Sequence, residues 1–248
     1  MTLLYTEIVP PIVWKRHYIF FAADQRITPL DGSKPRFYKK LIEIPYLNAA
    51  LGFFGLAEWG KGSSRTLMSE LLRDFVRKQS SILHLGTFAA LLADYLNKEV
   101  PGNLLGKRSG IHIAGFGPTG VPEFWFVRNI DDQGAASLGQ YQAREEFLTY
   151  ATKLGFDGKD LSRLPDVSIF YRNGDIATHA TAWEMIDEAL VALRGTPGFK
   201  PIRTPEDYGE WIRFKMNVLR SFHGRFQKQV LIGGKIDVLK LDGPVVKR

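Results

Sequence analysis

A glycine-rich stretch in the first quarter of the chain comes close to a phosphate-binding loop. Residues 55–63 read Gly-Leu-Ala-Glu-Trp-Gly-Lys-Gly-Ser and satisfy the Walker pattern G-x-x-x-x-G-K-[ST] up to its last position. Gly62 stands there in place of the hydroxyl that would bind Mg²⁺. A phosphate loop also needs a parallel strand followed directly by a helix whose N-terminus binds the phosphates. Nucleotide binding at this stretch therefore depends on a parallel strand–helix unit.

Other catalytic and metal-binding patterns are absent from the sequence. The chain has no cysteine, which excludes disulfides, thiolate metal sites and cysteine nucleophiles. Its five histidines show no metal-ligand spacing, and no G-x-S-x-G elbow supports a serine triad. We interpret His112, within Ile-His-Ile, as a core or cleft residue. We expect no metal and no cofactor.

Composition indicates a globular chain with a real core. Its 248 residues are 45% apolar and 24% charged, with a net charge of +7. Residues 196–248 carry eleven Lys/Arg and five Asp/Glu, hence +6 of that charge. In residues 211–216 the charges alternate with apolar residues, as on the solvated face of a helix, so nucleic-acid binding is disfavoured. No run is long enough to span a bilayer and no signal-peptide pattern is present, which predicts a cytoplasmic protein without membrane partners.

Hydrophobic periodicity predicts strands and helices grouped in blocks. The predicted strands cover residues 3–9, 17–24, 38–44, 48–56, 110–116, 122–130, 166–172 and 229–241, the last interrupted by Gly233-Gly234. The first predicted helix includes residues 67–76 and has Ser63 or Ser64 as its N-cap. Three further helices are predicted over residues 87–96, 180–194 and 208–226. Helix 87–96 is apolar almost all round and is expected to be buried, whereas 131–165 has no clear assignment. Blocks of each type favour a single α+β domain over residues 1–248 with antiparallel sheets, which argues against a phosphate loop.

Four fragments, in this order and spacing, carry a family resemblance. They are "AADQRIT" (residues 22–28), "YKKLIEIP" (38–45), "AALGFFGLAE" (49–58) and "IGGKIDVLKL" (232–241). Together they resemble proteasome β-type subunits and their bacterial relatives among the N-terminal-nucleophile hydrolases. The resemblance implies a four-layer αββα sandwich of two antiparallel sheets, with a poorly matched insertion around 131–180. It also implies a homo-oligomer, ring-shaped or similar, and leaves open whether an ATPase partner exists.

The resemblance implies a threonine-type hydrolytic site. In that family an N-terminal Thr attacks a carbonyl, and its own free α-amine takes the proton. Thr2 is the candidate nucleophile, because its small side chain permits removal of Met1. Lys40 and Asp24 match the family's strand lysine and the carboxylate that orients it, and Arg26 matches a neighbouring supporting position. Thr6 is the alternative nucleophile and would require removal of five residues.

The same resemblance places the oxyanion-hole amide at Phe54 or Gly55. Any residue can supply a backbone N–H, so a phenylalanine at this position is compatible with the role. The structural alternative is that Gly52 and Gly55 only permit close backbone packing.

Two functional hypotheses follow from these residues. The first is a threonine peptidase or amidase that acts on a peptide or amide substrate. The second is a catalytically inactive subunit of the same fold with a structural or assembly role, because the family's later supporting Asp and Ser positions fall near Gln229 and Ile232. Neither of these side chains can replace those groups chemically.

Overall fold

The computed structural model describes residues 2–11, 14–29, 34–60, 62–131, 136–156, 167–173, 176–226 and 230–245. The strands in these ranges are β1 (Leu4–Val9), β2 (Arg16–Asp24), β3 (Arg26–Ile27), β4 (Arg36–Phe37), β5 (Leu41–Ile44), β6 (Ala49–Phe54), β7 (Glu58–Trp59), β8 (Thr66–Leu67), β9 (Gly110–Phe116), β10 (Pro122–Ile130), β11 (Ser137–Glu145), β12 (Ile169–Asn173) and β13 (Ile236–Val245). The helices are α1 (Met68–Lys78), α2 (Leu85–Glu99), α3 (Phe147–Lys153), α4 (Ile176–Leu193) and α5 (Pro205–Phe226).

The longer strands form two antiparallel sheets. One sheet has the order β12-β1-β2-β13 and the other has the order β11-β10-β9-β6-β5. Every neighbouring pair in both sheets is antiparallel. The short pairs β3–β4 and β7–β8 form two small additional ribbons. The predicted mixture of helices with antiparallel sheets is confirmed.

Three clusters of buried apolar side chains explain how the elements pack. The first joins α1 and α2 to one face of the five-stranded sheet, and within it Phe75 of α1 contacts Phe88 of α2. The second joins the two sheets and includes Leu4 of β1 and Phe54 of β6. The third joins α4 and α5 to the four-stranded sheet. Since both faces of β1 and β6 are covered, all six residues of each strand are buried.

Alternation along β1 sends neighbouring side chains to opposite faces of the sheet. Leu4 and Ile8 enter the cluster between the sheets, whereas Leu3 and Tyr5 enter the cluster under α4 and α5. This alternation determines which chemistry each residue of β1 can reach.

Several helix boundaries and faces differ from the sequence prediction. Helix α1 begins at Met68 with Leu67 as N-cap and no side-chain cap, because residues 62–64 form a 3-10 turn ahead of β8. Helix α2 is buried on one side only, since Thr87 and Leu91 are exposed. Helix α5 buries Lys215 and His223, whereas Phe222 and Phe226 of the predicted apolar stripe are exposed.

The segment without an assignment contains regular structure. It forms the edge strand β11, most of whose side chains are exposed or half-buried, followed by the short helix α3. At the other end of the chain, the last strand begins at Ile236 instead of residue 229. Gly233-Gly234 precedes the strand, and Gly234 has a left-handed φ of +76° that extended strands do not adopt.

Candidate active site

The hairpin of β1 and β2 brings the start of the chain to Asp24. Leu4 pairs with Ala23 in the antiparallel register, so Leu3 lies opposite Asp24. The Leu3 amide donates to Asp24 Oδ1 at 3.0 Å, and the Asp24 amide donates to the Leu3 carbonyl at 3.2 Å.

The side chain of Lys40, which directly precedes β5, extends toward Thr2 and Asp24. Its Nζ atom donates to Thr2 Oγ1 at 2.9 Å, to Asp24 Oδ1 at 3.0 Å and to the Arg26 carbonyl at 2.6 Å. Lys40 is 1% exposed, Asp24 0% and Thr2 5%, so the cluster is almost closed to solvent. The structure thus brings together Thr2, Asp24 and Lys40, which are 38 residues apart at most.

Asp24 organises the backbone around the ammonium group. Besides Lys40 and the Leu3 amide, its carboxylate accepts hydrogen bonds from the amides of Arg26 (3.2 Å) and Gly233 (3.1 Å). The Arg26 amide also donates to the Gly233 carbonyl at 3.0 Å. Arg26 therefore contributes through its backbone, and the glycine pair serves as a turn against the Asp24 carboxylate. The sequence predicts this pair as an interruption of the last strand, whereas in the structure it precedes that strand.

Burial and charge act in opposite directions on Lys40. Burial lowers the pKa of Lys40 from its ordinary value, and the charge and hydrogen bond of Asp24 oppose that change. A positive charge 2.9 Å from a hydroxyl oxygen stabilises the alkoxide that the hydroxyl forms on losing its proton. The same charge lowers the proton affinity of an amine on Thr2.

Phe54 and Gly55 lie at the end of β6, close to the level of Lys40. Leu41 pairs with Gly52, so Phe54 lies two residues beyond that pair at the same end of the sheet as Lys40. The Phe54 ring packs between the sheets, and its centre lies 6.0 Å from the centre of the Phe126 ring. A Cβ on Gly52 would come within 2.7 Å of Leu4, which fits the packing interpretation of this glycine. The oxyanion role of the two amides stays a prediction.

Gly55 has a backbone conformation that other residues rarely adopt. Its φ is +83°, and a Cβ would lie 2.2 Å from the Arg108 carbonyl oxygen. We expect Gly55→Ala to lower the free energy of unfolding by about 2 kcal/mol or more, because left-handed strain and a backbone clash add together. The matched control is Gly62→Ala, with φ +56° and nothing within 4 Å, for which strain alone predicts about 1 kcal/mol. Guanidinium denaturation checks both values, and equal losses would contradict the clash.

Thr6, the alternative nucleophile, lies in a different environment. It is fully buried in the middle of β1, and its Oγ1 is 2.9 Å from His112 Nδ1. His112 Nε2 donates a hydrogen bond to Asn173 Oδ1, so Nδ1 of the neutral ring accepts a hydrogen bond from the Thr6 hydroxyl. Cleavage before Thr6 would remove the pairing of Leu4 and Tyr5 with β2. His112 is a satisfied core residue, as the sequence suggested.

The buried imidazole predicts a pH dependence of stability. Burial lowers the pKa of His112 from 6.5 to about 4, so the folded protein binds fewer protons than the unfolded chain between these values. The contribution of neutral His112 is present above pH 6.5 and is lost as the pH falls. We expect a loss of about 2 kcal/mol in unfolding free energy between pH 7.5 and pH 5 that is absent in His112→Gln. Guanidinium denaturation at both pH values measures the loss, the exposed His84→Gln is the control, and identical pH slopes in all three proteins would contradict it.

The geometry shows no nucleotide loop or metal centre in the described ranges. The glycine-rich stretch continues from β6 into the β7–β8 ribbon, so no helix N-terminus follows it directly. No three His, Asp or Glu side chains group as metal ligands in the part of the chain that the structure describes. Within those same ranges, no helix is long and apolar enough to cross a membrane. Met1, Lys61 and Gln229 lie outside the described residues.

Comparison with solved structures identifies the fold. Anbu (ancestral beta-subunit) from Yersinia bercovieri superposes with a TM-score of 0.50 over 98% of this chain and 84% of that chain, at 11% sequence identity. This chain has a proteasome-like fold. No family model matches the sequence, and no curated protein matches it. At this identity the likeness establishes the proteasome-like fold alone, and the site chemistry depends on the residues described above.

Proposed function

We propose that this chain is a threonine-type N-terminal-nucleophile hydrolase that cleaves peptide or amide bonds, built on a four-layer αββα sandwich. The observation that supports it most strongly is the position of Lys40 Nζ, 2.9 Å from Thr2 Oγ1 and 3.0 Å from Asp24 Oδ1. A buried ammonium between the Thr2 hydroxyl and a carboxylate supports this proposal, because its charge would stabilise the alkoxide of a nucleophilic threonine.

In the proposed reaction, removal of Met1 frees the α-amine of Thr2. An α-amine has a pKa of about 7.7–8.0, so a usable fraction is neutral near pH 7 and can accept the hydroxyl proton. Thr2 Oγ1 attacks the carbonyl carbon, the scissile C–N bond breaks and the leaving amine takes that proton. Water then hydrolyses the ester on Thr2, with the same amine as base.

The neighbouring groups have distinct roles in this reaction. Lys40 stabilises the negative charge that develops on the Thr2 oxygen, and Asp24 compensates the ammonium charge and orients it. The backbone amide of Phe54 or Gly55 donates to the oxyanion of the tetrahedral intermediate. Arg26 supports the site through its carbonyl, 2.6 Å from Lys40 Nζ.

An inactive scaffold is the second candidate. The aliphatic Ile232 is fully buried in the cluster under α4 and α5, at a position where the family resemblance leads one to expect a supporting hydroxyl. In this case the chain would be a catalytically inactive subunit with a structural or assembly role. For either function we propose a cytoplasmic homo-oligomer.

Intact mass and covalent labelling test the proposal. The purified full chain should be lighter by one methionine residue. It should also gain the whole mass of a β-lactone probe, because attack of a hydroxyl opens the lactone ring and forms an ester. Peptide mapping should place that ester on Thr2. A retained Met1, a blocked Thr2 amine, or labelling spread over several surface residues would support the inactive scaffold.

A further inference from the structure

A second concave site lies on the opposite face of the sheet from Lys40. Its volume is about 700 Å³, and it is bounded by β1 and β12 below and by α4 and α5 above. Alternation along β1 directs Tyr5 and Glu7 into this cavity, whereas Thr6 points between the sheets. The cavity is therefore separate from the proposed hydrolytic site.

Glu7 is a buried carboxylate at the base of this cavity. It is 3% exposed, and each of its oxygens accepts a hydrogen bond of 2.7 Å from a phenol, one from Tyr5 and one from Tyr208. Burial raises the pKa of Glu7, while the two phenol hydrogen bonds act to lower it. The phenols thus hold the carboxylate in one orientation beneath the cavity.

The aromatic lining already binds cations of the chain itself. The Lys215 ammonium lies 4.2 Å from the centre of the Trp183 ring and donates to both oxygens of Asp187, at 2.9 and 3.1 Å. The Arg172 guanidinium lies 4.6 Å from the centre of the Phe170 ring. An aromatic face beside carboxylates is the environment that recognises organic ammonium ions.

Charge decides which ligand class fits the site. The described lining residues include four carboxylates, Glu7, Glu184, Asp187 and Glu188, against the two cations Lys215 and Arg172. This excess of negative charge disfavours an anionic ligand and favours a cation. Aromatic side chains from β1, β12, α4 and α5 supply apolar area for the body of the ligand.

We propose that this cavity binds a small organic ammonium ion with an aromatic or alkyl body. The ammonium group of the ligand lies against the aromatic side chains near Glu7, and the aromatic or alkyl body of the ligand fills the space under α4. Binding of this ligand does not depend on Thr2, so the proposed hydrolytic function and the proposed ligand site can be tested independently.

Three probes with the same aromatic body test the ligand class: phenethylamine as the cation, phenethyl alcohol as the neutral analogue and 3-phenylpropionate as the anion. Calorimetric titration of the full chain should show phenethylamine binding with a dissociation constant of about 1 mM or below and at least tenfold weaker binding of the other two. Equal affinity for all three probes, or no phenethylamine binding at about 10 mM, would overturn the proposal.

Variants locate the binding to this cavity. Glu7→Gln should weaken phenethylamine binding about tenfold. Phe170→Ala changes a side chain that is 48% exposed, so the fold should tolerate it, and binding should weaken at least threefold. Phe226→Ala, at a 73% exposed position near the end of α5, is the matched control and should leave binding unchanged, as should Thr2→Ala. If Glu7→Gln does not fold, Phe170→Ala decides, and unchanged affinity in it refutes the site.

Discussion

Thr2→Ala is expected to reduce β-lactone labelling by a factor of about 10³ or more, whereas Thr2→Ser should retain labelling within about tenfold. Alanine removes the hydroxyl that lies 2.9 Å from Lys40 Nζ, and serine keeps it. Both replacements are small enough to permit removal of Met1, so the α-amine is equally free in the two variants. Labelling is measured by intact mass over time, with the Met1 status of each variant read from the same spectrum.

Thr6→Ala is the matched control for this experiment. It also removes a buried threonine hydroxyl, but this one lies within β1 and faces His112 instead of Lys40. We expect Thr6→Ala to be labelled at the wild-type rate. Labelling that persists in Thr2→Ala and disappears in Thr6→Ala would transfer the nucleophile to Thr6. Labelling that persists in both variants would remove the threonine mechanism.

Asp24→Ala is expected to lower the free energy of unfolding by about 3–5 kcal/mol, because it leaves a buried ammonium without its counter-charge. Lys40 is 1% exposed and is paired with Asp24 at 3.0 Å. The substitution also removes the carboxylate that accepts from the amides of Leu3 and Gly233, and it removes one of the two acceptors of the Arg26 amide. Guanidinium denaturation monitored by tryptophan fluorescence measures the change.

A double variant separates the charge from the packing. Asp24→Asn combined with Lys40→Met removes both charges, so we expect it to be more stable than Asp24→Asn alone, with a coupling energy of about 1–3 kcal/mol. Asp74→Ala, in an exposed ion pair with Arg77, is the surface control and should change stability by less than about 1 kcal/mol. A loss for Asp24→Ala as small as that of Asp74→Ala would show that the buried pair does not stabilise the fold.

The regular elements with strong periodicity could be predicted from the sequence. Strands β9 and β10 have the predicted bounds, because their apolar runs end at turn residues on both sides. Strand β11 was missed because it is an edge strand, where solvent-exposed positions dilute the apolar alternation. The start of α1 was misplaced because a serine next to glycines is typical of an N-cap as well as of a 3-10 turn.

The candidate site was only partly accessible from the sequence. Thr2, Asp24 and Lys40 were selected by a family resemblance, and local pattern alone does not show that Lys40 is buried. The hydrogen bond between Thr6 and His112 joins residues 106 positions apart, and the one between His112 and Asn173 joins residues 61 positions apart. The contact between these residues depends on how the two sheets pack against each other, and a short stretch of sequence does not contain that information. The one indication in the sequence was that strand alternation turns the side chains of Thr6 and His112 toward the interior.

The bonding of Lys40 limits what that residue can do during a reaction. An ammonium group has three N–H bonds, and Thr2, Asp24 and Arg26 each accept one of them. All three N–H bonds are therefore used within the protein, so in the proposed reaction Lys40 would act as a fixed charge beside the Thr2 oxygen and would not bind the substrate. If the proposed reaction occurs, recognition of the acyl group would then come from main-chain amides and other side chains around Thr2. Changes in substrate preference should accordingly map to those surfaces and leave Lys40 untouched.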